Sequence, residues 1–278
     1  MANIARIVGH NSGEDVTATH PLVVGVGRVG IELELENMPN ATAARGWNVT
    51  GDGSLRNNGV EYVMRGAQGG AELFQSIMAL DEALSEHQCD ANLRCSTHVH
   101  LDVRRLTVPQ YKRLLLAYTV YERLIFELSG AHRMTNNFCP SFTFAQQQIR
   151  RLAMCWHNTD EQFIGRMVEG RDRQSSDKYS ALNLVPVFTQ GSVEFRGSEA
   201  KPSAGKMLRL ANRILSLYEL ARNSDPNQSD ADFINSLTNL EVQNAMLGTL
   251  PRNFEVQTDF VEEGRILAFD IITLGRRN

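Results

Sequence analysis

Residues 28–36 read RVGIELELE, and this alternation constrains the chain more than any other feature. Apolar Val29, Ile31, Leu33 and Leu35 take turns with Glu32, Glu34 and Glu36. As a β-strand the stretch puts four apolar side chains on one face and three carboxylates on the other. A helix would scatter the same residues around its circumference. Carboxylates sharing a face repel, and no Lys or Arg interrupts the row, so water must screen them or a cation must sit among them. A plain strand with one wet face would also satisfy the pattern. Two later stretches weigh against that reading.

CSTHVHLDV repeats the device with other ligands. In a strand His98, His100 and Asp102 share one face, and Val99, Leu101 and Val103 the other. Two imidazoles on one strand face can reach one ion or one polyanion. GSVEFRGSE does so a third time, with Ser192, Glu194 and Arg196 opposite Val193 and Phe195. A Glu beside an Arg is commonly a local ion pair and gains meaning only if its face joins the others. In the short strand over residues 60–64, Glu61 offers a fourth contribution. Stacked in one sheet, these strands line a single polar groove. Its carboxylates and imidazoles suit Mg²⁺ or Mn²⁺, and no thiolate enters it, which argues against structural zinc. Two such ions beside Arg and His describe a phosphoryl-transfer site.

The remaining sequence sets the frame. The 278 residues, 42% hydrophobic and 22% charged, are enough for a sizeable core. A net charge of −4 gives no global basic field to recruit nucleic acid or a membrane. Cys89, Cys95, Cys139 and Cys155 include no CxxC pair and read as reduced thiols of a cytoplasmic protein. No signal-peptide pattern and no membrane-length apolar run is present. Residues 1–20 are expected as a flexible lead-in, and 21–278 as a single domain. Strands are expected over 21–36, with Gly25 and Gly27 as candidate interruptions, and over 60–64, 94–103, 179–187 and 191–197, the last two as a hairpin. Helices are expected over 71–86, 107–128, 203–222, 230–247 and 259–274, with one or two more in 145–170. Residues 38–58 are rich in turn formers. The locally basic stretch 146–178 reads as a solvated surface or an anion-handling loop. Strands between long helices without βαβ alternation give an α+β class: a twisted antiparallel sheet with helices on one face.

Six motifs in order carry a family resemblance: Gly30-x-Glu32-x-Glu34, Asp52-Gly53-Ser54, Gly59-Val60-Glu61, Ser96-Thr97-His98-Val99-His100, Lys178-Tyr179-x-x-Leu182-Asn183 and Val193-Glu194-Phe195-Arg196. From near residue 28 to near residue 200 the chain resembles the putative amidoligase family, compact relatives of glutamine synthetase with the carboxylate–amine ligase fold. The resemblance implies a glutamine synthetase-like sheet lining the active site, with ATP and Mg²⁺ or Mn²⁺ as cofactors. It places Glu32, His98 and Glu194 at one ion, and Glu34 and Glu61 at another. It sets His100 and Arg196 at the ATP phosphates, with His100, Glu61 and Arg196 in catalysis. Lys178, Tyr179 and Asn183 are assigned to phosphate or substrate contact, and Asp52 to a supporting or substrate role. The implied reaction forms an acyl phosphate from ATP and a carboxylate, which an amine then attacks to give an amide. Family members often lie in bacteriophage and bacterial gene clusters. Acid, amine and oligomeric state are left open, with nucleic acid entering only as a candidate substrate.

The chain departs from the family pattern in two places. Val63-Met64-Arg65 follows Glu61 where many members have Ser-Pro, and Ser96-Thr97 follows Cys95 where many have Cys-Gly before the histidines. Three competing readings stand beside the ligase. One is a guanidino-kinase-like phosphotransferase of the same fold. Another is a catalytically idle binding scaffold. The last is a metal-dependent hydrolase that would recruit His132 or His157.

Overall fold

The computed structural model describes residues 2–137, 139–168, 179–248 and 258–275. Among these residues six strands form one sheet: β1 (Val29–Leu35), β2 (Trp47–Thr50), β3 (Val60–Met64), β4 (Ser96–Asp102), β5 (Leu182–Asn183) and β6 (Ser192–Glu199). Their order is β2-β3-β1-β4-β6-β5, and every neighbouring pair is antiparallel. The helices are α1 (Ile4–Val8), α2 (Gly70–Ser85), α3 (Val108–Ser129), α4 (Gln146–Cys155), α5 (Asp160–Val168), α6 (Pro186–Thr189), α7 (Ala204–Arg222), α8 (Asp230–Ser236), α9 (Leu240–Leu247) and α10 (Thr258–Leu274). The class is α+β, as the pattern predicts.

The alternation in β1 decides which side of the sheet is the core. Val29, Ile31, Leu33 and Leu35 are sealed, together with Val99 and Leu101 of β4 and Val193 of β6. Helices α3 and α7 complete this layer, and the Tyr118 ring of α3 meets Phe195 of β6 at 5.3 Å. Helix α3 starts where its sequence says it should. Thr107 accepts from the Gln110 amide, and the Gln110 side chain accepts from the Thr107 amide at 2.9 Å, a reciprocal cap. Pro109 sits in its first turn and Gly130 follows its end.

Four elements differ from expectation. The first strand begins at Val29, because residues 21–27 turn, with Gly25 at φ +62° and Gly27 pressed on Leu215 and Tyr218. The expected strand 179–187 shrinks to β5, since Pro186 lacks an N–H and opens the helical turn α6 instead. The expected helix 230–247 is two, recapped where the Asn239 side chain accepts from the Glu241 amide at 2.8 Å. Strand β2 lies inside the stretch read as turns, with Trp47 buried and its Nε1 donating to the Ser76 carbonyl at 2.7 Å. The lead-in carries an anchor of its own: Ile4 is buried, and its amide donates to the Leu106 carbonyl at 2.8 Å. All four cysteines are free thiols. Among the described residues no helix is long and apolar enough to cross a membrane. Helices α4 and α5 hold Arg150, Arg151 and Arg166 of the basic stretch, whereas Arg171, Arg173 and Lys178 lie outside the described residues.

Candidate active site

Register brings the polar residues into rows. Across the sheet Glu34 stands opposite Glu61, Glu32 opposite His98, His100 opposite Glu194, and Glu194 opposite Asn183. Thr50 of β2 extends the first row beside Glu61. Between Thr97 and Val99 the β4–β6 register slips, so His98 faces both Arg196 and Gly197. This bulge keeps Arg196 on the polar face and turns Ser198 toward α3. Gly197 is needed there because a Cβ would lie 2.8 Å from the Phe126 ring.

The side chains converge in three overlapping groups: Glu32, Glu61 and His98; Glu32, His100 and Glu194; Glu34, Asp52 and Glu61. Within each group the ligand atoms lie within 4.8 Å of one another. Glu194 is almost sealed; its two oxygens accept from Arg196 Nη1 at 2.5 Å and Asn183 Nδ2 at 2.6 Å. A cleft of 350 Å³, lined in part by Gly30, Glu32, His100, Gln190 and Ser192, adjoins the cluster.

Hydrogen-bond logic fixes the His98 ring. Ser96 donates its single hydroxyl hydrogen to Glu34, which as a carboxylate can only accept. His98 Nε2, 2.7 Å from the same hydroxyl, must therefore be the donor of that pair. In the neutral ring Nδ1 is left with a lone pair, 3.3 Å from Glu32 and 3.4 Å from Glu194. That arrangement is repulsive unless a cation or a proton lies between them. His100 repeats the situation: its buried Nε2 has no aligned hydrogen bond, yet lies 3.2 Å from Glu32 and 3.8 Å from Glu194. An oriented lone pair, an orphaned imidazole nitrogen and crowded carboxylates are the donor set a divalent cation requires.

The electrostatics agree. Burial opposes ionisation of Glu32, but His100 and His98, in their protonated forms, outweigh it and hold the carboxyl far below its usual range. Burial opposes the charged form of His100 as well, and Glu32 and Glu194 more than compensate, raising it. Burial first, then the charges of Glu32, Glu34 and Asp52, push Glu61 up to about 7.

Several candidates sit elsewhere. Asp102 is engaged by Arg104, whose Nη2 and Nε donate to it at 2.7 and 3.0 Å. Glu36 is saturated by Arg94, Asn92 and the Arg56 amide, and Arg94 leads in lowering its carboxyl to about 2. It is thereby removed as a free base or ligand. His132 is half exposed and pairs with Glu199 at 3.8 Å, and His157 meets the Ile272 carbonyl at 2.7 Å, so neither joins the cluster. Tyr179 is partly exposed, and Lys178 is outside the described residues. Ser96 stands in the motif Ser96-Thr97-His98-Val99-His100, where the sequence reading gave it no role as a partner of Glu34 and His98. Extending the His98–His100 parity two residues back would have found that role.

The sequence profile described as putative amidoligase enzyme matches residues 40–215. The chain belongs to that family. Its match spans β2 to the middle of α7, and so holds Asp52, Glu61, His98, His100, Glu194 and Arg196. Glu32 and Glu34 lie before it and join the site through strand pairing. No curated protein matches the chain. Family membership makes the protein a ligase-type enzyme, and the polar face of its sheet is the candidate active site.

Proposed function

We propose that this amidoligase joins a carboxylate to an amine at the expense of ATP, through an acyl phosphate, on a glutamine synthetase-like sheet. The observation that carries this reading is the convergence of Glu32, Glu34, Glu61, His98, His100 and Glu194 beside Arg196. Glu32, His98, His100 and Glu194 would hold one divalent cation, and Glu34, Glu61 and Asp52 a second. Bound Mg²⁺ would supply positive charge to the ATP phosphates.

The chain's own residues have definable tasks. A carboxylate oxygen attacks the γ-phosphorus, ADP departs, the amine nitrogen then attacks the acyl carbon, and phosphate leaves as the amine loses its proton. Transfer between anions is opposed by repulsion, and the Arg196 guanidinium is placed to offset it. Its Nη1 is spent on Glu194, while its Nε is buried without a partner among the described residues and available to an oxyanion. Glu32, held ionised by two imidazoles, keeps its negative charge at neutral pH. Asn183 and Arg196 fix the Glu194 carboxylate from both sides, as supporting hydrogen bonds orient a ligand.

Titration calorimetry with a non-hydrolysable ATP analogue tests the reading. Binding should require Mg²⁺ and should be lost in Glu194→Gln, with the circular dichroism spectrum unchanged. Metal-independent binding, or full binding by the variant, would remove the assignment. A screen of acids and amines for ADP release then separates the ligase from a phosphotransferase, which needs no carboxylate.

A further inference from the structure

Arg213 of α7 is only 5% exposed, and its Nε has no hydrogen-bond partner. No carboxylate or carbonyl answers its guanidinium among the described residues. Arginine is ordinarily buried only when paired, because an uncompensated charge in a protein interior is costly. Burial, with Arg209 nearby, already brings the group down to about 10.

Arg213 belongs to a cationic stripe. Lys206, Arg209 and Arg213 follow i, i+3, i+7 spacing on α7 and so share one side of the helix. Lys201, nearly buried just before the helix, stands close enough that Lys206 and Arg213 help to lower its ammonium, after burial. Glu199 answers Lys201 at 2.7 Å, but no ion pair among the described residues answers the other three. Helix α7 packs on the apolar side of the sheet, so the stripe is separate from the acid–imidazole cluster.

We propose that Arg213, with Arg209, Lys206 and Lys201, forms a phosphate-binding site on α7, distinct from the candidate active site. A planar guanidinium flanked by ammonium groups matches a tetrahedral dianion better than a monoanionic carboxylate, since several positive groups meet two negative charges. The anion supplies the partner that the buried arginine lacks.

The test uses the full-length protein in metal-free buffer, with inorganic phosphate as the probe and thermal unfolding and calorimetry as readouts. Phosphate should raise the Tm of the wild type and of Arg196→Met. In Arg213→Met its Kd should weaken at least about tenfold, the loss expected for one charge-assisted hydrogen bond. Without phosphate, Arg213→Met should melt higher than the wild type, because an unpaired buried charge has been removed. Should that variant fail to fold, Lys206→Ala with Arg209→Ala, both at exposed positions, should weaken phosphate binding severalfold. Methyl phosphate distinguishes the sources: equal binding identifies the phosphoryl group of a larger ligand, and binding of inorganic phosphate alone identifies the free ion. No stabilisation of the wild type, or equal phosphate affinity in the Arg213 and Arg209 variants, would overturn the site.

Discussion

Ser96 shows how one hydrogen atom can set the chemistry of a neighbour. By donating to Glu34 and accepting from His98 Nε2, it leaves His98 Nδ1 free to face Glu32 and Glu194. Ser96→Ala should weaken Mg²⁺ affinity about 10–100-fold, the usual consequence of losing a hydrogen bond that orients a ligand. Calorimetry with Mg²⁺ alone checks this, and unchanged affinity would mean the ring needs no such support. Glu61 makes a complementary case through pH. Its carboxyl is raised from 4.5 to about 7 by burial and by Glu32, Glu34 and Asp52. A folded pKa above the unfolded one means the unfolded state loses its proton first, so stability falls as pH rises from 4.5 through about 7. In divalent-free buffer Glu61→Gln should match the wild type at pH 4 and exceed it at pH 8. The gain should be of order 1 kcal/mol once solvent screening of a partly exposed group is allowed for. Urea titrations at the two pH values measure it. Saturating Mg²⁺ should reverse the order, and a variant no more stable at pH 8 would show that the crowding is already relieved.

At the level of elements, the close fit of α10 against α3 is a sharp constraint. A Cβ on Gly264 would come within 2.5 Å of the Thr119 and Val120 carbonyls. Backbone cannot give way as a flexible side chain can, so Gly264→Val should cost about 3 kcal/mol and lower the urea midpoint. A midpoint within error of wild type would mean that α10 docks differently. The same elements show what a one-dimensional reading can reach. Strands β1, β3 and β4 and helices α3 and α7 were legible because each combines a strict period with a cap or turn signal. Strand β2 was not, since four residues among Asn, Gly and Asp carry too little alternation, and what holds it is burial of Trp47. The α6 turn was missed because an apolar run with one Pro suits a strand or a helical turn equally well. Within the site, parity named Glu32, Glu34, His98, His100 and Glu194. Which imidazole meets which carboxylate depends on register and on the bulge opposite His98, and neither is written in any single strand.

For the whole molecule, the sheet divides the labour. One face, with α3 and α7, carries the apolar core; the other collects carboxylates and imidazoles whose mutual repulsion is local. A fold stabilised from the apolar side does not need a metal to form, unlike small metal-dependent domains in which chelation unfolds the chain. The protein should therefore keep its secondary structure in EDTA and melt cooperatively. Mg²⁺ at 100 times its Kd should then add about 2.7 kcal/mol by mass action. In a chain of this size that corresponds to a rise of roughly 5–10 °C in Tm. Glu32→Gln should abolish the rise, because Glu32 is shared by two of the three ligand groups, and in EDTA it should melt somewhat below the wild type, because the carboxylate that the two imidazoles stabilise is gone. Unfolding in EDTA would make the ion structural. A Tm that ignores Mg²⁺ would instead leave the clustered acids without the cation that their repulsion, and the lone pair of His98, call for.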